Sequence, residues 1–502
     1  ATSIGHAPAA ALAASESASR LAIAESLTNI VGADLEKGLH SVSLSANWMW
    51  PCKNPGEDAA LYSAVRACSD MACALGINIP TGKDSLSMTQ KYPDGSKVQA
   101  PGTVIISAAA PVRDIRRTIS PVLKNTKNST LYYIDFSCDA LGLGGSALAQ
   151  TLNRVGNDVP DVKDTAYFSR AFDTVQRLVR SRKLAAIHDV SAGGLVTTLL
   201  EMTFANSRGG LNMYTDGFAI FGEDDLVKIL FAENPAVVIQ VEDDRKESVE
   251  KILDDAALRY FPVASPSADR VLMISHKDSV HMVNIDTMRR RWFTPSYLLD
   301  RLQSGEECAR KRFDNFSRQP LRFRLPKGFK GSLASRGLDA VRKSRSGIRA
   351  AIIREKGVNG DREMAYSLHL AGFDVRDVHM TDLMSGRETL DDINMLVFCG
   401  GFSNSDVLGS AKGWAGGFLW NDTAAATLRR YYDREDTLSL GVCNGCQLMI
   451  ELNLLFGIGG ERPVEMAHNR SHKFESQFVN MTIPENNSVM FGPLSGVRAG
   501  IW

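Results

Sequence analysis

Apolar and polar positions divide the chain into blocks with different periodicities. In the first block, apolar residues at helical spacing predict a helix over 19–31, and strict alternation predicts a strand over 103–112. The second block begins near Ser129 with an apolar strand and continues with a strand, a loop and a helix over 185–204. After a basic, weakly patterned stretch, strands and helices alternate again from Arg349 onward. These changes predict the segments 1–118, 119–300, 301–347 and 348–502.

The alternation in the last segment predicts a parallel sheet, whose functional loops follow the carboxyl ends of the strands. The segment 301–347 is interpreted as a solvated basic linker and not as a nucleic-acid patch, because it is poor in aromatic residues. The first residues lack the regions of a signal peptide and run directly into helical pattern, so we expect the true N-terminus to lie upstream.

Composition narrows the class of protein. The 502 residues are 44% hydrophobic and 23% charged, as in ordinary globular proteins. No apolar run approaches the roughly 20 residues that a membrane span needs, so no membrane partner is expected. The 57 basic and 57 acidic residues balance, which argues against a nucleic-acid partner. Eight irregularly spaced cysteines favour a reducing compartment, and we expect a cytoplasmic protein.

The sharpest local signal is the segment GVCNGCQ over 441–447. A predicted strand ends there, Cys443 occupies the tight turn, and a helix begins, which is the pattern of a nucleophile elbow. The helix N-terminus favours a thiolate through its dipole and its free N–H groups. The N–H of Asn444 is a candidate oxyanion donor, together with an amide from the turn at Gly400 and Gly401.

Cys443 and Cys446 also form a C-x-x-C pair, which is typical of redox and zinc sites. No second C-x-x-C and no H-x-x-H lies nearby, which argues against zinc. A redox pair usually occurs in a different strand–helix context. Cys446 is therefore interpreted as a small apolar residue packed against the helix.

The segment GVCNGCQLM resembles the G-x-C-x-G-x-Q elbow of class I glutamine amidotransferases, and VCNGCQ is similar to the version in the formylglycinamide ribonucleotide amidotransferase family. The segments REKGVNGDREMA, AGFDVRDVHMTDL, CGGFSNSDVLGSAKGWA and HNRSHKFESQF carry the same resemblance. Upstream, SANWMW, GEDAALYSAV, PTGKDSLSM, LGGSALAQ and HDVSAGGLVTTLLEM resemble the second synthetase half of that family. The resemblance covers nearly the whole chain.

The resemblance implies α+β domains like the N- and C-type domains of aminoimidazole ribonucleotide synthetase, followed by a flavodoxin-like parallel-sheet glutaminase domain. It implies a ligase of purine biosynthesis, which converts formylglycinamide ribonucleotide, ATP and glutamine into formylglycinamidine ribonucleotide. Cys443 would be the glutaminase nucleophile. The implied partners are these small-molecule substrates and a first synthetase half of the same polypeptide.

Several positions depart from the family pattern. The family's G-G-F-S-Y-G-D has Asn404 and Ser405 here, in the loop expected to hold the oxyanion, and N-x-S-x-x-F-E-x-R ends in Gln477. The family's base is the His of an H-G-E segment, and the final PLSGVRAGIW resembles the stretch just before it. We therefore expect a truncated chain that hydrolyses glutamine poorly alone. His468 and His472 lie in a segment that does not supply the base in the family.

A second set of candidate residues is acidic. Glu25 and Asn29 are four residues apart and share one helix face, and Asp189 precedes a Ser-Ala-Gly-Gly turn that opens a helix. Such oxygen ligands suit nucleotide-borne magnesium, and the turn offers amides to a phosphate. From the residues alone, a solvated helix face for Glu25 and Asn29 and a helix N-cap for Asp189 are the favoured interpretation. The resemblance implies that Glu25, Asn29 and Asp189 bind Mg²⁺ and that Ser191 binds ATP or ADP, at an auxiliary, structural site.

Two further signals and two rival functions stay open. Lys83 and Asp84 are predicted on a polar loop, as a phosphate contact or as a surface turn with an internal salt bridge. The glycines of LGLGGSALAQ do not have dinucleotide-binding spacing, and close packing of a helix on a strand explains them equally well. The rival functions are a non-catalytic structural or virion paralogue, against which the intact Cys443 elbow argues, and a stand-alone thiol hydrolase, which would not need the upstream block.

Overall fold

A computed structural model describes residues 1–125, 128–318, 321–458 and 460–501. The chain divides into two compact units, Ala1–Pro295 and Ser296–Trp502. Among the described residues, no helix combines the length and the apolar character that crossing a bilayer requires.

The first unit opens with a four-stranded sheet of order β1-β6-β2-β3. The strands are Thr2–His6 (β1), Ser43–Met49 (β2), Asn78–Ser85 (β3), the hairpin Thr89–Lys91 (β4) and Lys97–Gln99 (β5), and Thr103–Ala109 (β6). The helices are Pro8–Ala11 (α1), Ser15–Ile30 (α2) and Glu57–Leu75 (α3). Strand β6 pairs antiparallel with both β1 and β2, and its alternate side chains are buried, as the alternation in its sequence predicts.

A seven-stranded mixed sheet of order β13-β12-β9-β11-β7-β10-β8 follows in the same unit. Its strands are Ser129–Asp135 (β7), Ala186–Val190 (β8), Gly210–Tyr214 (β9), Ala236–Glu242 (β10), Tyr260–Ser267 (β11), Val271–His276 (β12) and Ser279–Asn284 (β13). Its helices are Ala147–Thr151 (α4), Thr165–Arg180 (α5), Gly194–Phe204 (α6), Leu226–Phe231 (α7) and Lys246–Asp255 (α8). Strand β10 is buried along almost its whole length because it pairs with β7 on one side and β8 on the other.

The two sheets of the first unit share one apolar core. Ile23 and Leu27 of α2 are fully buried in the same cluster as Phe172 of α5. Gln176 of α5 is also buried, and its Nε2 donates to the carbonyl oxygen of Val31 at 2.7 Å. Burial of apolar side chains and satisfaction of a buried amide therefore hold the two layers together.

The second unit contains a four-stranded parallel sheet of order β15-β14-β16-β17. Its strands are Arg349–Arg354 (β14), Asp374–His379 (β15), Met395–Phe398 (β16) and Leu438–Gly441 (β17), with the hairpin Val479–Thr482 (β18) and Arg498–Ile501 (β19). The helices are Ile285–Ser304 (α9), which crosses the division between the units, Glu306–Asn315 (α10), Asp361–Leu370 (α11), Met380–Met384 (α12), Lys412–Leu419 (α13), Asp422–Tyr432 (α14) and Asn444–Glu451 (α15). The parallel sheet predicted for the last segment is confirmed, and its order 2-1-3-4 is flavodoxin-like.

Two local predictions differ from the structure. The first residues form a strand, β1, before any helix, because Thr2–His6 completes the edge of the first sheet beside β6. The segment predicted as a linker includes a helix, α10, whose Phe313 ring stacks on Tyr297 at a centroid distance of 4.5 Å. That contact between residues 16 positions apart gives α10 an apolar anchor in a sequence that is otherwise charged.

Candidate functional sites

The turn at Cys443 has the backbone of a nucleophile elbow. Strand β17 ends at Gly441, helix α15 begins at Asn444, and Cys443 between them has φ 54° and ψ −110°. A residue with a side chain adopts such a conformation only at a cost, and such strain is concentrated at functional sites. The thiol of Cys443 is exposed. The predicted strand–turn–helix geometry is therefore present, with an accessible sulfur at its apex.

The flanking glycines allow the helix to approach the sheet closely. A Cβ on Gly445 would lie 2.0 Å from the carbonyl oxygen of Phe398, the last residue of β16. A Cβ on Gly441 would lie 2.6 Å from the carbonyl oxygen of Gly445. These distances are far below van der Waals contact, so glycine is required at both positions to seat α15 on the sheet.

The turn after β16 lies directly beside the thiol. A Cβ on Gly400 would lie 3.1 Å from the Cβ of Cys443 and 3.8 Å from its Sγ. The turn is fixed by hydrogen bonds from Phe402 N–H to the Gly357 oxygen at 2.8 Å and from Asn359 N–H to the Gly400 oxygen at 2.9 Å. This arrangement brings Gly401 and Asn444, the predicted oxyanion residues, onto the two turns that flank Cys443.

Asn444 has a further contact set that sequence analysis did not anticipate. Its side chain is buried, and its Oδ1 accepts from the N–H of Ser403 at 3.2 Å. Its Nδ2 donates to Asp406 Oδ1 at 3.2 Å and to Gln447 Oε1 at 2.9 Å. The first residue of α15 therefore ties the elbow to the loop that follows β16.

The loop positions that depart from the family pattern have an unusual backbone. Asn404 and Ser405 have φ of 51° and 57°, in the left-handed region that favours glycine. Ser405 stands where the family pattern has glycine. The loop keeps its left-handed turn with Ser405 in place, at a cost in strain that a glycine would avoid.

The thiol of Cys443 and the other cysteine of the elbow have fewer contacts than Asn444. Within the described ranges, the Cys443 thiol forms no hydrogen bond, and neither His468 nor His472 donates to it or accepts from it. Cys446 is exposed, so the prediction that it packs against the helix is wrong. The helix buries Gly445 and Leu448 instead, because those positions face the sheet.

A cavity of about 240 Å³ in the first unit contains two of the predicted nucleotide-site residues, Glu25 and Ser191. Its walls come from the residues after β1, from α2, from the loop before α4 and from the turn before α6. The residues of this cavity are dispersed over more than 200 positions in sequence, and the packing of the two sheets brings them together.

Carboxylates concentrate around the cavity. Glu25 Oε2 accepts from the N–H of His6 at 2.7 Å. Burial raises the pKa of Glu25, and the negative charges of Asp189 and Glu233 raise it further, against the lowering effect of the His6 contact. The cavity therefore has an acidic wall, and a bound cation would reduce the repulsion between its negative charges.

Asp189 and His188 form a charged pair at the end of β8. Asp189 is buried, and its Oδ1 lies 3.3 Å from Nδ1 of His188. The other ring nitrogen of His188, Nε2, lies 3.5 Å from Glu201 Oε2. Burial lowers the pKa of His188, but the two carboxylates outweigh it and raise that pKa to about 10. Asp189 is thus held in place by a histidine cation at ordinary pH.

Glu233 is a functional candidate that sequence analysis missed. Its Oε1 accepts from the N–H of Gly193 at 2.7 Å and from the N–H of Ala147 at 2.7 Å. The Gly193 amide was part of the predicted phosphate cradle, and it is already bound to this carboxylate. No local sequence motif predicts the role of Glu233, because the two N–H donors lie 40 and 86 residues away in the sequence.

The remaining predicted residues lie elsewhere. Asn29 is exposed and lines a separate depression with Ser43 and Thr81, although it is on the same helix as Glu25. Lys83 and Asp84 are on strand β3 and not on a loop, because that strand pairs with β2 through them. Lys83 Nζ donates to the hydroxyl of Ser85 and forms no salt bridge with Asp84 within the described residues.

The glycines of LGLGGSALAQ allow close approach of chain segments. A Cβ on Gly142 would lie 2.1 Å from the oxygen of Asp158, and one on Gly145 would lie 2.4 Å from the Cα of Ala10. The partners are a loop and the helix α1, so close packing accounts for these glycines without a bound dinucleotide.

The carboxylates of the cavity wall could hold a magnesium ion only if nucleotide phosphates supplied some of its other ligands. In the part of the chain that the structure describes, no group of three or more His, Cys, Asp or Glu side chains is arranged to hold a metal ion. Magnesium is commonly held by one or two carboxylates, with water and substrate phosphates as the other ligands. Glu25 lines the cavity and supplies one such carboxylate, whereas Asp189 is not a lining residue and reaches Glu25 only through its charge.

Three family models match the chain in succession. An FGAR-AT PurM_N-like domain matches residues 1–111, and the C-terminal domain of AIR synthase related protein matches residues 129–265. A CobB/CobQ-like glutamine amidotransferase domain matches residues 347–501. The implied domain types, two synthetase-like α+β domains and a parallel-sheet glutaminase domain, are confirmed.

Curated proteins are similar over the entire chain. The probable phosphoribosylformylglycinamidine synthase, chloroplastic/mitochondrial, of Arabidopsis thaliana is 37% identical over 516 residues, which cover 100% of this chain and 35% of that protein. Phosphoribosylformylglycinamidine synthase of Homo sapiens is 38% identical over 523 residues, which cover 100% of this chain and 38% of that protein. The chain therefore spans little more than a third of the length of these relatives.

Among solved structures, the chain is similar to T. maritima PurL complexed with FGAR, with a TM-score of 0.46 at 12% identity. The matched region covers 58% of this chain and 45% of that chain.

Proposed function

Because this chain belongs to the phosphoribosylformylglycinamidine synthase family, we propose that it supplies the glutaminase domain and a nucleotide-binding synthetase half of such an enzyme. The reaction would convert formylglycinamide ribonucleotide, ATP, glutamine and water into formylglycinamidine ribonucleotide, ADP, phosphate and glutamate. The observation that carries this proposal is identity of 37% and 38% across the whole chain, together with a strained, exposed thiol elbow in the domain that matches a glutamine amidotransferase.

At the elbow, we propose that the Cys443 sulfur attacks the carboxamide carbon of glutamine. A thioester forms, ammonia leaves, and water then releases glutamate from the thioester. The N–H groups of Gly401 and Asn444 would donate to the oxyanion, which is supported by the position of both turns beside the thiol. A base must accept the thiol proton and return it to the leaving ammonia.

The synthetase step uses that ammonia. Phosphorylation by ATP turns the carbonyl oxygen of the glycinamide group into a phosphate leaving group, and ammonia displaces the phosphate to form the amidine. In bulk water at neutral pH, ammonia would be protonated and lose its nucleophilicity. We therefore propose that ammonia passes between the two activities without release to the solvent. The relatives are longer than this chain, and we propose that the turnover site needs the first synthetase half as a partner.

For the cavity in the first unit, we propose an auxiliary nucleotide site. Ser191 would contact ATP or ADP, and Glu25 and Asp189 would hold the Mg²⁺ that accompanies the phosphates, which is supported by the acidic wall of the cavity. The magnesium would neutralise phosphate charge there. Asn29, which lines a separate depression, would have to reorient to join these ligands.

We also propose a cytoplasmic location. All eight cysteines are free, as expected in a reducing compartment, although the plant relative is named for chloroplasts and mitochondria.

An exposed, strained thiol disfavours the alternative of a purely structural paralogue, since a scaffold has no need of that geometry.

A synthesis assay on protein that contains this chain tests the overall activity. We expect Cys443→Ser to abolish product formation from glutamine, with a loss of at least about a thousandfold, because an alcohol is a far weaker nucleophile than a thiolate. The same variant should retain synthesis from ammonium chloride, since ammonia bypasses the elbow. Equal loss with both nitrogen donors would contradict a role confined to glutamine hydrolysis.

Calorimetry with Mg²⁺ and ADP tests the auxiliary site. We expect Asp189→Asn to weaken binding about tenfold, because a charged metal ligand becomes neutral without a change in size. Glu247→Gln, on the exposed face of α8, is the matched control and should bind like the wild type. Unchanged affinity in Asp189→Asn would remove the metal assignment.

A further inference from the structure

Glu233 is one of the residues that line the cavity of the first unit. It lies between α7, which ends at Phe231, and β10, which begins at Ala236. Glu233 is half-buried, and burial raises the pKa of its carboxyl group in spite of two backbone hydrogen bonds. Both bonds end on the same oxygen, at 2.7 Å each.

The two donors belong to different walls of the cavity. Ala147 opens α4 and follows the glycines Gly144 and Gly145, which line one wall. Gly193 precedes α6 and lies in the same turn as Ser191, which lines the cavity. A single carboxylate oxygen therefore bridges two loops that are 46 residues apart in sequence.

The bridge is strong for physical reasons. A backbone N–H that donates to a buried carboxylate forms a charge-assisted bond, which is about twice as strong as one between neutral groups. Ala147 is the first residue of α4 and Gly193 is the N-cap of α6, so neither N–H has an acceptor within its own helix. The backbone of Gly193 has φ 89°, so this turn depends on a conformation that few other residues adopt and gains from external support.

We propose that Glu233 is a positioning residue of the nucleotide cavity, which fixes the distance between the loop at 144–147 and the turn at 191–193. This inference rests on the proposed nucleotide binding. Glu233 holds the hydroxyl of Ser191 and the glycine loop at the separation that a nucleotide needs. Its own carboxylate acts through the backbone and not as a ligand of the nucleotide or its metal.

Two substitutions separate position from charge. Glu233→Gln keeps the length of the side chain and an acceptor oxygen but removes the charge, so both amide bonds remain in a weaker, neutral form. Glu233→Asp keeps the charge, but it is one methylene shorter and cannot reach both amides from the same backbone position. A positioning role requires the glutamine variant to work and the aspartate variant to fail, whereas a metal ligand or an electrostatic role requires the opposite order.

Calorimetric titration of the 502-residue chain with ADP and Mg²⁺ measures the effect. We expect Glu233→Asp to raise Kd about tenfold and Glu233→Gln to stay within about threefold of the wild type. The control is Asp164→Ala, which removes the N-cap bond to Tyr167 N–H on α5, away from the cavity. It should lower the melting temperature by about 2–4 °C and leave Kd unchanged. A larger loss in the glutamine variant than in the aspartate variant would overturn the proposal.

Amide hydrogen exchange without nucleotide keeps the bridge testable if no ADP binds. We expect Glu233→Asp to speed exchange in the peptides that contain Ala147 and Gly193 together, with no change in peptides of β10. Exchange that is unchanged in both peptides overturns the bridge. If exchange rises but the wild type binds no ADP, the bridge stands and the proposed nucleotide function fails.

Discussion

The thiol elbow and the carboxylate cavity are built in opposite ways. The elbow is a short stretch of strained backbone, in which seven consecutive residues set the direction of one exposed side chain. The cavity has little backbone strain at its carboxylates, and its functional groups arrive from separate elements of two sheets. The elbow depends on the absence of side chains at Gly441 and Gly445, whereas the cavity depends on the presence of charged ones.

This difference indicates how each site would fail. A site made from tight backbone contacts is sensitive to a single added methyl group, because the neighbouring atoms are backbone and cannot move aside. A site made from several charges is sensitive to protonation and to loss of a hydrogen-bond partner. Sterics therefore govern the elbow, and electrostatics govern the cavity.

The largest expected effect is steric and concerns Gly445. In Gly445→Ala, the new methyl group would lie 2.0 Å from the Phe398 oxygen and must push α15 away from β16. We expect a loss of stability on the order of 3 kcal/mol and loss of glutamine-dependent turnover. The melting temperature of the chain and the synthesis assay measure these two effects.

Gly416→Ala is the matched control in the same unit. Gly416 lies in α13, and a Cβ there would meet nothing within 4 Å. Alanine is favoured over glycine in a helix by about 0.5–1 kcal/mol, so this variant should melt at the same temperature as the wild type or higher. Equal destabilisation by the two substitutions would mean that close approach at Gly445 is not what seats the helix.

The same contrast explains what the sequence could predict. The elbow was predictable because its signals are local: a strand, a cysteine, two glycines and a helix within one short segment. The contacts of the Asn444 side chain with Ser403 and Asp406 were not, because they require the loop after β16 to fold against α15. The roles of Cys443, Gly401 and Asn444 stay predictions.

In the first unit, sequence analysis identified the helix that carries Glu25 and the turn that carries Ser191, but not how they are joined. Strand β1 escaped prediction because five residues that alternate between exposed and buried give a weak signal. Glu233 escaped it because a carboxylate that accepts from distant backbone amides has no sequence motif. Long-range hydrogen bonds, and not periodicity, decide this part of the site.

The second prediction sharpens the contrast between exposed and buried sulfur near the elbow. Cys443 and Cys446 are exposed, whereas burial raises the pKa of Cys399, just before the Gly400 turn, to about 11. Burial likewise raises the pKa of Cys68 in the first unit to about 11. At pH 8, these buried thiols should react with iodoacetamide at least about a hundredfold more slowly than exposed thiols.

Peptide mass spectrometry after timed alkylation measures each cysteine separately. We expect label at Cys443 and Cys446 while Cys68 and Cys399 stay unmodified. Unfolding in urea before alkylation is the control, and it should make the four rates similar. Rapid labelling of Cys399 in the folded chain would mean that the sheet beneath the elbow opens, which would contradict a rigid steric site.

The smallest expected effect is electrostatic and concerns His188 beside the cavity. Contacts with Asp189 and Glu201 raise the pKa of His188 to about 10 against the effect of burial, whereas an unfolded histidine titrates near pH 6.5. The folded chain therefore keeps a proton that the unfolded chain releases between about pH 6.5 and pH 10. The stabilisation is fully present below about pH 6.5 and is lost as the pH rises towards 10.

Melting curves in metal-free buffer measure this stabilisation. Wild type should be more stable than His188→Gln by on the order of 1–2 kcal/mol at pH 6, with solvent screening taken into account, and the difference should disappear as the pH approaches 10. His281→Gln, at an exposed position on β13, should run parallel to the wild type throughout. A constant gap between wild type and His188→Gln would show that packing, and not charge, is what His188 contributes.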